Sequence, residues 1–314
     1  MFDLAIVAQL AWTGFATASF YCLSAISFAL VLKVNQVWNF AQAGVMVIAY
    51  YALYVGMRVL GMPLVAGLVF ALVITLLASW AIERFAFDVL RRRRSSVLTY
   101  FIFTIMFAQF AIYIAELVFG TEPKTITNEL ISPVFMVGPI AVSHWDLSAI
   151  AITAMLSIAL YVFLNKTNTG QCLIAVADNA ELAETYGIDP RRAYIIAMLL
   201  AGVLLLACMY LFGTKAALFP STPLTQLLMY NVIATILAGL GNVFAAGVVA
   251  VLLSVIQAFS ILVIESRWQV LLAYALIFVA ILLFPKGVVL PRRIRLARRD
   301  PPQGATSTPM SKPR

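Results

Sequence analysis

The feature that most constrains this chain is a succession of apolar runs, most of them about 20 residues or longer, that repeats from the first residues almost to the C-terminus. A helix of that length crosses a hydrocarbon core of about 30 Å, and a helix satisfies its own backbone hydrogen bonds there. With 63% of its residues hydrophobic and only 11% charged, the chain has too little polar surface for water. A membrane β-barrel is disfavoured, because barrel strands alternate in hydropathy instead of giving continuous runs. The expected fold class is all-α: a polytopic transmembrane helical bundle embedded in the lipid bilayer.

Spans are expected near 4 to 32, 40 to 60, 63 to 87, 97 to 119, 146 to 165, 193 to 213, 225 to 241, 243 to 264 and 268 to 285. That makes about eight to nine crossings, with a broken or re-entrant first segment left open. Basic residues gather at Arg91 to Arg94, at Arg191 and Arg192, and at Arg292, Arg293, Arg295, Arg298 and Arg299, and the positive-inside rule puts all three groups in the cytoplasm. Only Arg58, Lys124, Lys215 and Arg267 of the 21 basic residues then face outward. An even number of crossings must separate cytoplasmic segments, so the stretch from 225 to 264 is two crossings with a break near Gly239-Leu240-Gly241-Asn242. The N-terminus falls outside. Met1-Phe2-Asp3 gives no basic n-region, so the first run reads as a retained span. Residues 1–290 are expected to form the membrane domain, with a cytoplasmic loop at 169–190, and 291–314 read as a basic, then disordered, cytoplasmic tail.

Several function classes are disfavoured. The net charge of +8 sits beside apolar segments, so it reflects topology and not nucleic-acid binding. His144 is the sole histidine, and Cys22, Cys172 and Cys208 are scattered, so neither a metal centre nor a nucleophilic catalytic set is expected. No Gly-x-x-x-x-Gly-Lys-Ser/Thr loop is present, so ATP must be bound elsewhere if it is used. No cofactor is expected. The rival to a pump subunit is an ion-coupled secondary transporter of a small polar solute, which calls for inverted repeats and a midplane charge. Glu116, the acidic residue deepest in a run, lies about a turn from its outer end.

Three groups of residues carry the functional signal. In the loop, Asp178 followed by Glu181 has capping-box spacing, Gly187 suits a left-handed stop, and Asp189-Pro190 suits the start of the next span. A two-turn helix from about 179 to 186 results, fused to that span. Leu182, Ala183 and Tyr186 form its apolar face, with Glu181 and Glu184 at the rim. It is either a capped connector resting on headgroups or a lever. Asn35, Asn39 and Gln42 place amides where two spans join, either lining a polar path or capping helix ends. Asn231, Thr235 and Asn242 surround the break in the seventh segment, where path lining competes with close helix packing at Gly239, Ala246 and Gly247. Glu83, Arg84 and Asp88 are expected to pair with neighbouring charges at a cytoplasmic helix end.

The order of Gly170, Ala175, Asp178, Ala183, Gly187 and Ile188 resembles the EAA-type loop of ABC importer permeases in the LivH-like, branched-chain amino-acid family. Asn39-Phe40-Ala41-Gln42-Ala43-Gly44, Ala238-Gly239-Leu240-Gly241-Asn242 and Phe284-Pro285-Lys286-Gly287 are similar to three further segments of that family, in the same order. Gln171 and Ile174 depart from its loop pattern, which often carries Arg. The resemblance implies a permease subunit whose loop docks into a cleft on an ATPase. Its implied partners are a second permease subunit, two cytoplasmic ATPase subunits that bind the ATP, and a periplasmic solute-binding protein that delivers branched-chain or related amino acids.

Overall fold

A computed structural model describes residues 4–262 apart from 127–133, 139 and 240, together with position 275. The expected last span, the Phe284-Pro285-Lys286-Gly287 element and the basic tail lie outside the described residues. Seven described helices are long and apolar enough to cross a membrane, and an eighth apolar helix is shorter.

Helix α1, Leu4–Asn35, runs unbroken through 32 residues, which closes the alternative of a broken or re-entrant first segment. Helix α2 is Ala41–Tyr54 and continues through a π-helical turn, Val55–Val59. Helix α3, Leu64–Ala81, passes through a second π-helical segment, Ile82–Phe87, into α4, Asp88–Arg92. The third apolar run therefore reaches further than its composition suggests, because its last turns carry Glu83, Arg84 and Asp88. Ser96 caps α5, Val97–Phe119, by accepting from the Thr99 amide.

The stretch after α5 contains a two-stranded hairpin, β1 (Val134–Val137) and β2 (Ile140–Ser143), that the hydropathy pattern does not announce. Gln9 closes the hairpin onto α1: its carbonyl accepts from the Ala141 amide and its amide donates to the Ala141 carbonyl. Ser143 and Asp146 then make a capping box for α6, His144–Lys166.

Two short helices follow, α7 (Asn168–Asp178) and α8 (Ala180–Thr185), before α9, Pro190–Lys215. Pro223–Leu227 is a π-helical turn leading into α10, Leu228–Ala238, and α11 is Val243–Ser260. The 16 residues of Pro223–Ala238 give a rod of about 24 Å, short of a full crossing. The break falls at the expected turn from Gly239 to Asn242, although α10 is shorter than the full crossing that the parity count assumes. Gly239 (φ 83°) and Gly241 (φ 99°) both adopt the left-handed conformation, which frees the chain to turn between α10 and α11.

α1 is the central column, packed against α6, α9, α10 and α11, while α2 bridges α3, α5 and α9. Small residues permit the close approaches. A Cβ on Gly14 would lie 2.8 Å from Ala258 Cβ, and one on Gly247 would lie 2.8 Å from Ile26, so α1 and α11 meet nearly backbone to backbone.

Polar contacts sort into two ends. At one, Arg58 donates to the Thr125 carbonyl, the Lys124 and Leu218 backbones pair, and Lys215 lies 3.7 Å from Asp146, which also accepts from Trp12 Nε1. At the other stand Glu83, Asp88, Arg91, Arg92 and Arg191 with α7 and α8. Arg58, Lys124 and Lys215 thus share one end and the Arg91 and Arg191 groups the opposite one.

Candidate functional site

The loop end is built by local signals. Thr167 caps α7 by accepting from the Gly170 amide. A Cβ at Gly170 would overlap the Phe163 carbonyl oxygen and sit 2.6 Å from Leu164 Cα, so the corner between α6 and α7 admits only glycine. Leu173 and Val176 face inward and are buried, Ala175 is half-buried, and Asp178 is exposed at the end of the helix.

The cap of α8 corrects one expectation. Asn179, not Asp178, is the N-cap: its side chain accepts from the Leu182 amide at 3.0 Å, while Asp178 closes α7. Two capping residues stand side by side here, and the start of α8 sets which is used. The far end is as expected. Gly187 (φ 81°) donates to the Glu184 carbonyl and Ile188 to that of Ala183, the paired bonds of a Schellman stop. Asp189 accepts from the Arg191 amide and Pro190 opens α9, so α8 and α9 are joined by a two-sided cap with little slack.

Exposure divides the expected apolar face. Leu182 and Tyr186 are 55% and 80% exposed, whereas Ala183 is 5% exposed and packs into the main core. Leu182 and Tyr186, four residues apart on one side of the helix, are the groups available to a partner. Glu181 and Glu184 are exposed beside them and line a cavity of about 500 Å³ whose other walls include Asp88, Arg91, Arg191 and Tyr194.

Inside the bundle the amides separate by role. Asn242 caps α11, accepting from the Ala245 amide, and is exposed. Asn39, Gln42, Asn231 and Thr235 are buried where α1, α2, α9 and α10 meet. Asn231 accepts from Ser24 Oγ at 2.7 Å, Gln42 donates to the Ser27 carbonyl at 3.3 Å, and Asn39 donates to Met198 Sδ at 3.4 Å. Asn39 Oδ1, Gln42 Oε1, Asn231 Nδ2 and Thr235 Oγ1 are buried without a hydrogen-bond partner among the described residues. Unmatched buried polar atoms cost on the order of 1–3 kcal/mol each where no water reaches them; Asn35 Oδ1, Tyr51 Oη, Arg91 Nη1 and Ser157 Oγ are further such atoms outside this group.

Asn35 joins a different group. Its Nδ2 donates to Glu83 Oε2 at 2.9 Å, and Glu83, 1% exposed, also takes Arg91. Glu83 thus pairs with a neighbouring charge as expected, but from a buried position and not at an exposed interface. Arg84 and Arg92 do pair with Asp88, at 3.1 and 2.8 Å, but Glu83 turns into the protein. The π-helical segment Ile82–Phe87 carries it there, and no local sequence signal announces that turn. Beside Asn35, Gln36 takes a left-handed backbone (φ 55°) and donates to the Ala177 carbonyl of α7.

The fold and these two regions define a polytopic α-helical membrane protein with a short capped helix at one end and a group of buried amides within. The profile of the family described as "Branched-chain amino acid transport system / permease component" matches residues 10–281, and the chain belongs to that family. It is 22% identical to the high-affinity branched-chain amino acid transport system permease protein LivH of Escherichia coli K12 over 299 residues, covering 90% of this chain and 94% of that one. It is also 22% identical to BraD of Pseudomonas aeruginosa, a permease protein of the same kind of system, over 88% of this chain and 93% of that one. The fold is shared with a chain of "PsaBC from Streptococcus pneumoniae in complex with Fab", at a TM-score of 0.50 and 12% identity over 85% of this chain and 89% of that one.

Proposed function

We propose that this chain is the membrane permease subunit of an ABC importer, passing branched-chain or related amino acids inward by alternating access. A periplasmic binding protein would deliver the solute, a second permease subunit would complete the membrane pore, and two cytoplasmic ATPase subunits would bind and hydrolyse ATP. The observation that carries this reading is the short helix α8, capped by Asn179 and stopped at Gly187, whose exposed Leu182 and Tyr186 stand at the end of the rigid α9. A push on α8 has a helix to act through. On this reading the end bearing Arg91 and Arg191 is cytoplasmic, the C-terminus lies on that side, and the end bearing Lys124 and Lys215 faces the periplasm.

The seam formed by Asn39, Gln42, Asn231 and Thr235 is the part of the path this subunit contributes. Its four unmatched groups are two acceptors, one donor and one hydroxyl, a set suited to water or a polar solute in transit. Asn35 and Asn242 hold structure beside it, one through Glu83 and one as a cap.

The test is co-expression with candidate ATPase and binding-protein partners, followed by co-purification and leucine uptake into proteoliposomes. ATP-dependent uptake requiring all partners supports the reading. Uptake by the purified chain alone, driven by an ion gradient, would replace it with the secondary-transporter reading.

A further inference from the structure

We infer that Tyr194, Arg91, Glu83 and Asn35 form a relay that carries the movement of α8 to the inner end of α1, with Glu83 as its positioning residue. This rests on the reading of α8 as the ATPase lever. Tyr194 lies one turn into α9, directly behind the cap that fuses α8 to that helix. The Arg91 guanidinium carbon sits 4.2 Å from the centre of the Tyr194 ring, and the same guanidinium holds Glu83. Glu83 in turn accepts from Asn35, the last residue of α1, four positions before Asn39 of the buried seam.

Four features make this series more than a surface ion pair. Glu83 is buried, so its charge is held by Arg91 and Asn35 instead of water, and a shift of either must be followed by the carboxylate or be opposed by it. Arg91 Nη1 has no hydrogen-bond partner among the described residues, so the guanidinium has one nitrogen uncommitted when it is moved. The cavity of about 500 Å³ between α8 and Arg91 gives α8 room to travel, and its walls carry Glu181 and Glu184 on the α8 side and Arg91 and Tyr194 on the other. Glu83 also lies within a π-helical segment, an irregularity that aims its side chain inward and leaves Asp88 to occupy the surrounding arginines.

The experiment uses the complete complex in proteoliposomes with leucine as the probe, and reads leucine transported per ATP hydrolysed. Tyr194→Leu removes the ring under Arg91, Tyr194→Phe keeps it, and Asn35→Ala cuts the relay at its other end. Tyr194→Leu and Asn35→Ala are each expected to lower the ratio about fivefold or more, with ATPase subunits retained and Tyr194→Phe at the wild-type ratio. The double variant should be no worse than the worse single variant, since a relay cut once is already cut. Wild-type ratios in both variants, effects that multiply, or loss of the ATPase subunits would each overturn the inference. If Asn35→Ala does not accumulate, Tyr194→Leu against Tyr194→Phe decides alone. A wild-type chain that retains no ATPase, or moves leucine without ATP, fails the proposed function itself, and that result is visible before any variant is made.

Discussion

Gln36 Nε2 donates to the Ala177 carbonyl at 3.2 Å, tying the residue that follows α1 to the last turn of α7, although 141 positions separate them. Gln36 holds this bond from a left-handed backbone (φ 55°), while its Nε2 also reaches the Lys33 carbonyl at 2.8 Å. A non-glycine residue in that conformation costs about 1–2 kcal/mol, so the segment after α1 is held in shape by what it touches.

Substitution at this position separates backbone from side chain. Gln36→Gly removes the amide bonds but also the backbone strain, and these opposing effects of about 1 kcal/mol should nearly cancel. Gln36→Ala loses the bonds and keeps the strain, so it should be less stable than Gln36→Gly by about 1 kcal/mol. Thermal unfolding of the two variants in the same detergent tests this. Equal midpoints would mean that the left-handed turn carries no strain.

Gly170 and Gly187 are both glycines of the loop, and they should respond differently. Gly187 has a positive φ but open space around its missing Cβ, so Gly187→Ala should cost only about 1 kcal/mol. At Gly170 the added methyl would meet the backbone of Phe163 and Leu164, which cannot move without displacing α7 from α6. Gly170→Ala should therefore cost about 3 kcal/mol and lower the yield of folded protein. Unfolding midpoints and monodisperse yield measure the contrast, and the reverse order would refute the packing argument.

In the seam, Asn231 is fully buried, with Ser24 as its single described side-chain partner. Asn231→Leu keeps the volume and removes both amide atoms, and the single Ser24 O–H, no longer shared with Asn231, still has the Tyr21 carbonyl at 3.0 Å as its acceptor. Stability should change by less than about 1 kcal/mol, because no new buried polar group is stranded. Uptake should fall about tenfold or more if the amide serves a passing solute or its water. Wild-type uptake in a well-folded Asn231→Leu complex would return this residue to helix packing.

Much of this architecture is legible in the sequence. Composition sets the medium, the spacing of arginines sorts the helix ends, and the glycine-rich stretch from Gly239 to Asn242 marks the break before any coordinate is known. Those signals are local or cumulative, and each survives an error of a few residues. What is lost depends on tertiary direction. Asp178 and Asn179 are equally good caps by type, and the choice between them follows from where α7 ends. Glu83 reads as one more charge at a helix end, because nothing in Ile82 to Phe87 announces a π-helical turn that buries it against Asn35. Ala183 reads as part of an apolar face because spacing alone cannot say which side of a short helix its own protein already covers.

That last distinction decides how the proposed role of α8 should be tested. Ala183→Asp would place a carboxylate in this subunit's own core, and its cost of several kcal/mol would appear as misfolding, not as failed docking. Leu182 and Tyr186 avoid the confusion, since both side chains project outward. Leu182→Asp should leave the unfolding midpoint of the isolated permease close to wild type, within about 0.5 kcal/mol of stability. If the two residues seat in an apolar cleft on the ATPase, the same change should weaken docking by about 2–5 kcal/mol, and Tyr186→Ala by about 1–3 kcal/mol. Co-purification of ATPase at two salt concentrations separates this from a charge effect. Salt does not restore apolar docking that Leu182→Asp has abolished, whereas it screens repulsion at the rim near Glu181 and Glu184. Wild-type ATPase recovery with both variants would show that α8 is an idle connector between α7 and α9.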